Sequence, residues 1–245
     1  MTSTRLIMGM PITVAIPGEH VPASVFEEAF SFLEEVDRRF SPYLPDSETS
    51  RIARGELSPW DSSDQMQEVL DLADQTRMLT DGYFDAWFEG GFDPSGIVKG
   101  WSIRKAAWLV EGRGYRNFCI DAAGDIEVRG VNREEKPWEI GIRNPFQPDS
   151  IIKVLHLADR GIATSGTYIR GEHIYDPVEQ HVANDIASMT VVGPDVYEAD
   201  RLATAAYAMG ERGIAFLASL PGIDGYMVDQ GGTATFTPGL ARYMN

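Results

Sequence analysis

Apolar residues first alternate with polar ones in the stretch RLIMGMPITVAI, from Arg5 to Ile16, and this pattern predicts a β-strand interrupted near Gly9 to Pro11. The spacing then changes to that of a helix. Phe26, Phe30, Leu33, Val36 and Phe40 recur every three or four residues after Ser24, a side chain suited to capping, so a helix is expected to run to about Arg39 and to end at FSPYLPDSE. A second helix is expected from about Asp64 to Leu79, with Met66, Val69, Leu70 and Ala73 on its inner face and Gly82 as its stop. DGYFDAWFEGGFDPSGIVKG, from Asp81 to Gly100, holds too much Gly and Asp for a core element and reads as a loop system ahead of a third helix, SIRKAAWLVEGRG.

From residue 117 the texture becomes short alternating or β-branched runs separated by turns: NFCIDAAG, DIEVRG, WEIGIRNP, IIKVLHLADRG, GIATSG and ASMTVVGP. Helices from about Tyr197 to Met209 and from about Arg212 to Ser219 follow, then a closing strand, GYMVDQGG. Helices, then many strands, then helices again predict an α+β fold, with a largely antiparallel sheet and packed helices in one domain over residues 1 to 245.

Composition narrows the function. A hydrophobic content of 43% with 24% charged residues fits a globular chain, and no apolar run reaches the 18 residues of a membrane span. Acidic residues outnumber basic ones 37 to 21, for a net charge of −16, and no basic stripe is present to neutralise phosphates, which argues against nucleic acid as a partner. Cys119 is the only cysteine, and the opening residues lack the features of a signal peptide, so a cytoplasmic location is expected. The apolar faces of the later helices are compatible with a homodimer.

Three stretches could carry chemistry. Asp200 and Thr204, four residues apart on a helix, project their oxygens side by side, an arrangement that suits a hard cation such as Mg²⁺ or, alternatively, only stabilises the helix dipole. FDPSGIVKG reads either as a tight turn whose Lys99 pairs with a phosphate, or as a helix N-cap with a solvent-facing lysine. In SGTYIRGEHIYDP, His173 stands three residues before Asp176, close enough for a turn to join imidazole and carboxylate as a general base, although a histidine there can equally satisfy loop carbonyls. No HExxH or CxxC spacing supports zinc. A glycosidase carboxylate pair stays open among so many acids.

In order, these stretches resemble one family, the ApbE-like FAD:protein FMN transferases, whose fold is related to the T-fold. MGMP at 8 to 11 is similar to the family's Met-Gly-Thr-Pro, FSPYLPDSETSRI to its Phe-Ser-x-Tyr segment, DGYFD to Gly-x-Phe-Asp and DPSGIVKGW to Asp-x-x-Gly-x-x-Lys-Gly-Tyr. AGDI, TSGTY, HIYDP and ADRLATAAYAMG then resemble Gly-Gly-Asp-Ile, the Thr-Ser-Gly turn, His-x-x-Asp-Pro and the Ala-Asp-x-x-Ala-Thr-Ala segment. Val178, Glu179 and Gln180 depart from the x-Thr-Gly that commonly follows Asp-Pro, and FEGG stands where many members carry a longer insertion.

The resemblance implies that Met8, Tyr43, Tyr83, Phe84, Asp85, Asp93 and Lys99, with the turn at Ser165 and Gly166, contact FAD as substrate. It also implies that Asp200, Thr204 and the Gly96 carbonyl bind Mg²⁺, and that His173, oriented by Asp176, is the base. The implied reaction moves FMN from FAD to a Thr or Ser hydroxyl of an acceptor protein and releases AMP. An Mg²⁺-dependent FAD diphosphatase and a non-catalytic FAD-binding protein are the alternatives on the same residues.

Overall fold

The computed structural model describes residues 1–88, 91–166, 175–176, 181–182 and 186–244. Its centre is an eight-stranded sheet in the order β1-β2-β5-β6-β9-β12-β13-β14, antiparallel at every pairing. These strands are β1 (Thr2–Ile7), β2 (Met10–Ala15), β5 (Phe118–Ala122), β6 (Asp125–Arg129), β9 (Arg160–Gly166), β12 (Ile186–Gly193), β13 (Asp224–Asp229) and β14 (Ala234–Phe236). The interruption near Gly9 is a two-residue hairpin turn: Met8 and Gly9 have φ of 54° and 71°, the left-handed pair that matches strand twist, and they join Ile7 to Met10.

The helices α1 (Ala23–Phe40), α2 (Glu48–Ala53), α3 (Asp64–Leu79), α4 (Ser95–Gly112), α5 (Val196–Ala208) and α6 (Arg212–Ser219) accompany the sheet. Alternation along the strands separates two faces. Ile12, Val14, Phe118, Ile120 and Ala122 pack on α1 and α4, and Ala163, Met189, Val191 and Met227 pack on α5 and α6. Ile126, Val128, Ile162, Val192, Tyr226 and Val228 point the other way, beneath the hairpin of β7 (Trp138–Asn144) and β8 (Gln147–Leu157) and the C-terminal 3-10 turn Pro238–Tyr243. The expected α+β class with a largely antiparallel sheet is the observed one. No helix among the described residues is long and apolar enough to cross a membrane.

Two local expectations need correction, and one helix lies outside the predicted pattern. Ser24 does not cap α1: the helix begins at Ala23, Pro22 stands at the cap, and no side chain bonds there. Proline's fixed φ shapes the entry instead. The third helix begins at Ser95, not Ser102, because the Asp93 carboxylate accepts the Ser95 N–H at 2.9 Å and starts the helix inside what reads as a glycine-rich loop. The six-residue α2 escaped the periodicity, being too short for it, although Ser47 caps it by accepting the Ser50 N–H at 3.0 Å. The remaining described strands form two short pairs, β3 (Trp87–Phe88) with β4 (Gly91–Phe92) and β10 (Tyr175–Asp176) with β11 (His181–Val182).

Candidate functional site

The site is built where α4 and α5 meet over the Ser165 end of β9. α4 leaves Asp93 with Gly96, Lys99 and Gly100 in its first turns, and α5 passes it with Val196, Asp200 and Thr204 on the facing side. Glycine at position 100 allows the contact: a Cβ there would lie 2.7 Å from the Asp200 Cβ and 2.8 Å from the Val196 carbonyl oxygen. The Gly100 N–H donates to the Asp200 carboxylate at 2.7 Å, so the buried Asp200 is held against α4. In a regular α-helix that N–H belongs to the carbonyl four residues back, which is Gly96. Asp200 therefore competes for the donor of the one carbonyl in the sequence-predicted metal set.

Gly96 faces the same point. A Cβ on it would lie 3.0 Å from the Phe84 ring and 3.7 Å from the Thr204 hydroxyl, and that hydroxyl stands 3.5 Å from the Ser165 hydroxyl at the end of β9. Gly96 of α4, Thr204 of α5 and Ser165 of β9 thus come together, with Asp200 one helical turn before Thr204 and bonded to α4. Phe84 is buried, and its N–H donates to the Thr80 hydroxyl at 3.1 Å.

Lys99 lies on the sheet side of α4. Its ammonium is 2.8 Å from the carboxylate of Asp125 on β6, and both side chains are largely buried. Of the two readings of FDPSGIVKG, the helix start is the one observed, and its lysine faces an acid and not solvent. Sequence reasoning gave Asp125 no role. The available signal was DIEVR itself, in which charged and apolar residues alternate on a strand covered on both faces.

The remaining expected residues divide. Tyr83 is half-buried with the Arg212 guanidinium 5.5 Å from its ring centre, and the Asp85 carboxylate accepts the Trp87 N–H at 2.9 Å. Gly166 is buried beside Ser165 at the end of β9. The Met8 N–H donates to Asp37 of α1 at 3.2 Å, which fixes the hairpin turn over that helix. Tyr43 is 91% exposed, so the chain's own packing does not hold its ring at the α4–α5 junction. His173 lies outside the described residues, and of Asp176 only the backbone, in β10, is described.

This geometry can be set beside known proteins. A family model described as the ApbE family matches residues 8–90 and 88–227. The chain belongs to the ApbE family. An FAD:protein FMN transferase of Vibrio cholerae serotype O1 is 29% identical over 81% of this chain and 78% of its own length. A solved flavin transferase ApbE from Vibrio cholerae superposes with a TM-score of 0.84 at 25% identity, covering 99% of this chain and 98% of that one. An ApbE protein of Thermotoga maritima, at 20% identity, shares the fold with a TM-score of 0.87 over 100% of this chain and 99% of its own. The family-model match, taken over its two segments, includes residues 81 to 100 and helix α5, which form the crossing.

Proposed function

We propose that this chain is an FAD:protein FMN transferase that uses Mg²⁺, and that the α4–α5 crossing holds the diphosphate. The observation that supports the reading is the close packing of Gly96 on Thr204 and of Gly100 on Asp200, where α4 also carries Lys99, in a chain of the ApbE family. The donor set fits the ion, since Mg²⁺ takes oxygen ligands, including one or two carboxylates, and completes its shell with water and phosphate. Asp200, Thr204 and the Gly96 carbonyl would hold it. Bound there, Mg²⁺ supplies positive charge to the diphosphate as negative charge develops on it.

Lys99 binds the same diphosphate as a point charge, with Asp125 fixing its ammonium. Phe84 closes the apolar side of the site, and Met8, Tyr43, Tyr83, Asp85 and Asp93 extend the FAD contacts. A Thr or Ser hydroxyl of the acceptor attacks the phosphorus on the FMN side. The new P–O bond forms as the bond to the AMP phosphate breaks, and AMP leaves with the bridging oxygen. The hydroxyl proton passes to His173, which Asp176 orients.

The test is incubation of the protein with FAD, with and without Mg²⁺, alongside a peptide presenting a threonine. Metal-dependent AMP with flavin on the peptide is the expected result. Free FMN with AMP would mean a diphosphatase, and intact bound FAD a binding protein.

Lys99→Met is expected to weaken FAD binding by about 10- to 100-fold, the loss of one charge-assisted contact. Flavin fluorescence titration measures it. Adding Asp125→Asn, which removes the acid left unpaired, is expected to restore thermal stability but not FAD affinity.

A further inference from the structure

The helix-facing side of β6 carries Asp125, Glu127 and Arg129, where β5 on one side presents Ala122, Ile120 and Phe118 and β9 on the other presents Gly161 and Ala163. Two of these charges serve α4: Asp125 pairs with Lys99, and the Arg129 Nε donates to Glu111 at 3.0 Å. Glu127 serves α5. It is fully buried, its Oε2 accepts the Val196 N–H at 2.6 Å, and its other oxygen faces the Arg129 guanidinium as an ion pair.

The Asp195 side chain caps the helix locally by accepting the Glu198 N–H at 3.0 Å, and Glu127 satisfies a different open donor of the same turn from across the sheet. Gly161, the cross-strand partner of Glu127, presses on the same turn: a Cβ there would lie 1.9 Å from the Val196 nitrogen and 2.0 Å from the Asp195 carbonyl carbon. The first turn of α5 thus rests on the sheet at one spot, with a buried carboxylate as its acceptor. The helix then runs along β9, so that Thr204 reaches Ser165; eight helical residues rise about 12 Å and four strand residues about 13 Å, and the two lengths match. An axial slip at Val196 would be carried unchanged to Asp200 and Thr204.

We propose that Glu127 is a positioning residue of the transfer site, which sets the register of α5 on the sheet so that Asp200 and Thr204 meet Gly96. The inference rests on the reading of that crossing as the Mg²⁺ site. A carboxyl group in a dry interior is expensive to ionise unless it is paired, and here its partners are divided between a helix start and a strand guanidinium.

Burial pushes the Glu127 carboxyl up to about 8, against the pull of Arg129 and the Val196 N–H, while Asp195 at the start of α5 and Glu111 on α4 add to the rise. Arg104 of α4 reaches this corner as well, 3.7 Å from Asp195. A carboxyl raised in the folded state contributes stability below its ordinary range, and that contribution is lost as pH climbs to about 8. Glutamine cannot titrate, so the melting temperature of Glu127→Gln is expected to rise relative to the parent between pH 5 and pH 8.

Three variants test the positioning role. Glu127→Leu fills the volume without an acceptor, Glu127→Gln keeps an acceptor, and Val196→Pro, whose backbone angles the extended Asp195 allows, removes the donor and sets a ring carbon against the Glu127 oxygen. Mn²⁺ binding in the presence of FAD, followed by electron paramagnetic resonance, and hydrogen exchange of the amides 197 to 204 are read beside FMN transfer. Leu and Pro are each expected to weaken Mn²⁺ binding at least tenfold and to speed exchange in the first two turns of α5, with the KM for FAD changed less than threefold. Gln is expected to stay within threefold of the parent throughout.

Parent-like Mn²⁺ binding and exchange in the Leu and Pro variants would overturn the proposal, as would a Gln variant as impaired as Leu. Should Leu fail to fold, the Pro and Gln variants decide alone. If the parent itself transfers no FMN while Mn²⁺ binding and exchange respond as expected, the transferase reading falls and the positioning role stands.

Discussion

Asp200→Asn is expected to slow FMN transfer by about 100- to 1000-fold, the usual cost of deleting one group that stabilises developing charge in an active site. Asparagine is the informative replacement, because its side-chain oxygen can still accept the Gly100 N–H and keep α4 against α5. What it loses is the negative charge, and Asp200 supplies the only carboxylate of the proposed Mg²⁺ set. The metal requirement should therefore rise steeply while the melting temperature changes little. Single-turnover transfer at saturating FAD, measured across an Mg²⁺ series, reads both quantities. Transfer at the parent rate with the parent Mg²⁺ dependence would remove Asp200 from the site, and a collapse in melting temperature would mean that its role is to hold the helices together.

The pairing of Asp200 with Thr204 was legible in the sequence because helical spacing alone puts them on one face. Lys99 was legible as a candidate but not in its setting. Periodicity cannot show that a glycine-rich segment becomes the first turns of α4, since the cause is a single carboxylate, Asp93, accepting the N–H two residues ahead. The same limit hid β6. Asp125, Glu127 and Arg129 alternate with Ile126 and Val128 as on any half-exposed strand, and only the positions of α4 and α5 reveal that the charged face is covered as well. The longer strands are legible for this reason, while β3, β4 and β14 are too short for the pattern and the direction of each strand's polar face depends on contacts made across the chain. Glu127 and Val196 are 69 residues apart in sequence, and no local pattern joins them.

Gly100→Ala should reverse the sign normal for a helix. In an exposed helix interior, glycine to alanine stabilises by up to about 1 kcal/mol, since alanine loses less backbone freedom on folding. At position 100 the added methyl meets the Asp200 Cβ at 2.7 Å and the Val196 carbonyl oxygen at 2.8 Å, neither of which can turn aside, so the helices must separate. Overpacking of this kind costs about 1 to 3 kcal/mol, which for a chain of this size lowers the melting temperature by about 2 to 12 °C. α5 cannot retreat freely, because its first turn sits on Gly161 and Glu127. The displacement therefore falls on the distance between Gly96 and the pair Asp200 and Thr204, and a misplacement near 1 Å can cost about 100-fold in rate. Gly112→Ala, at the far end of α4 with open space around its would-be Cβ, is the control and should be neutral or stabilising. Melting curves and transfer rates of the two variants together isolate the crossing: a Gly100→Ala protein as stable and as active as the parent would show that α4 and α5 need not touch for FMN to be moved.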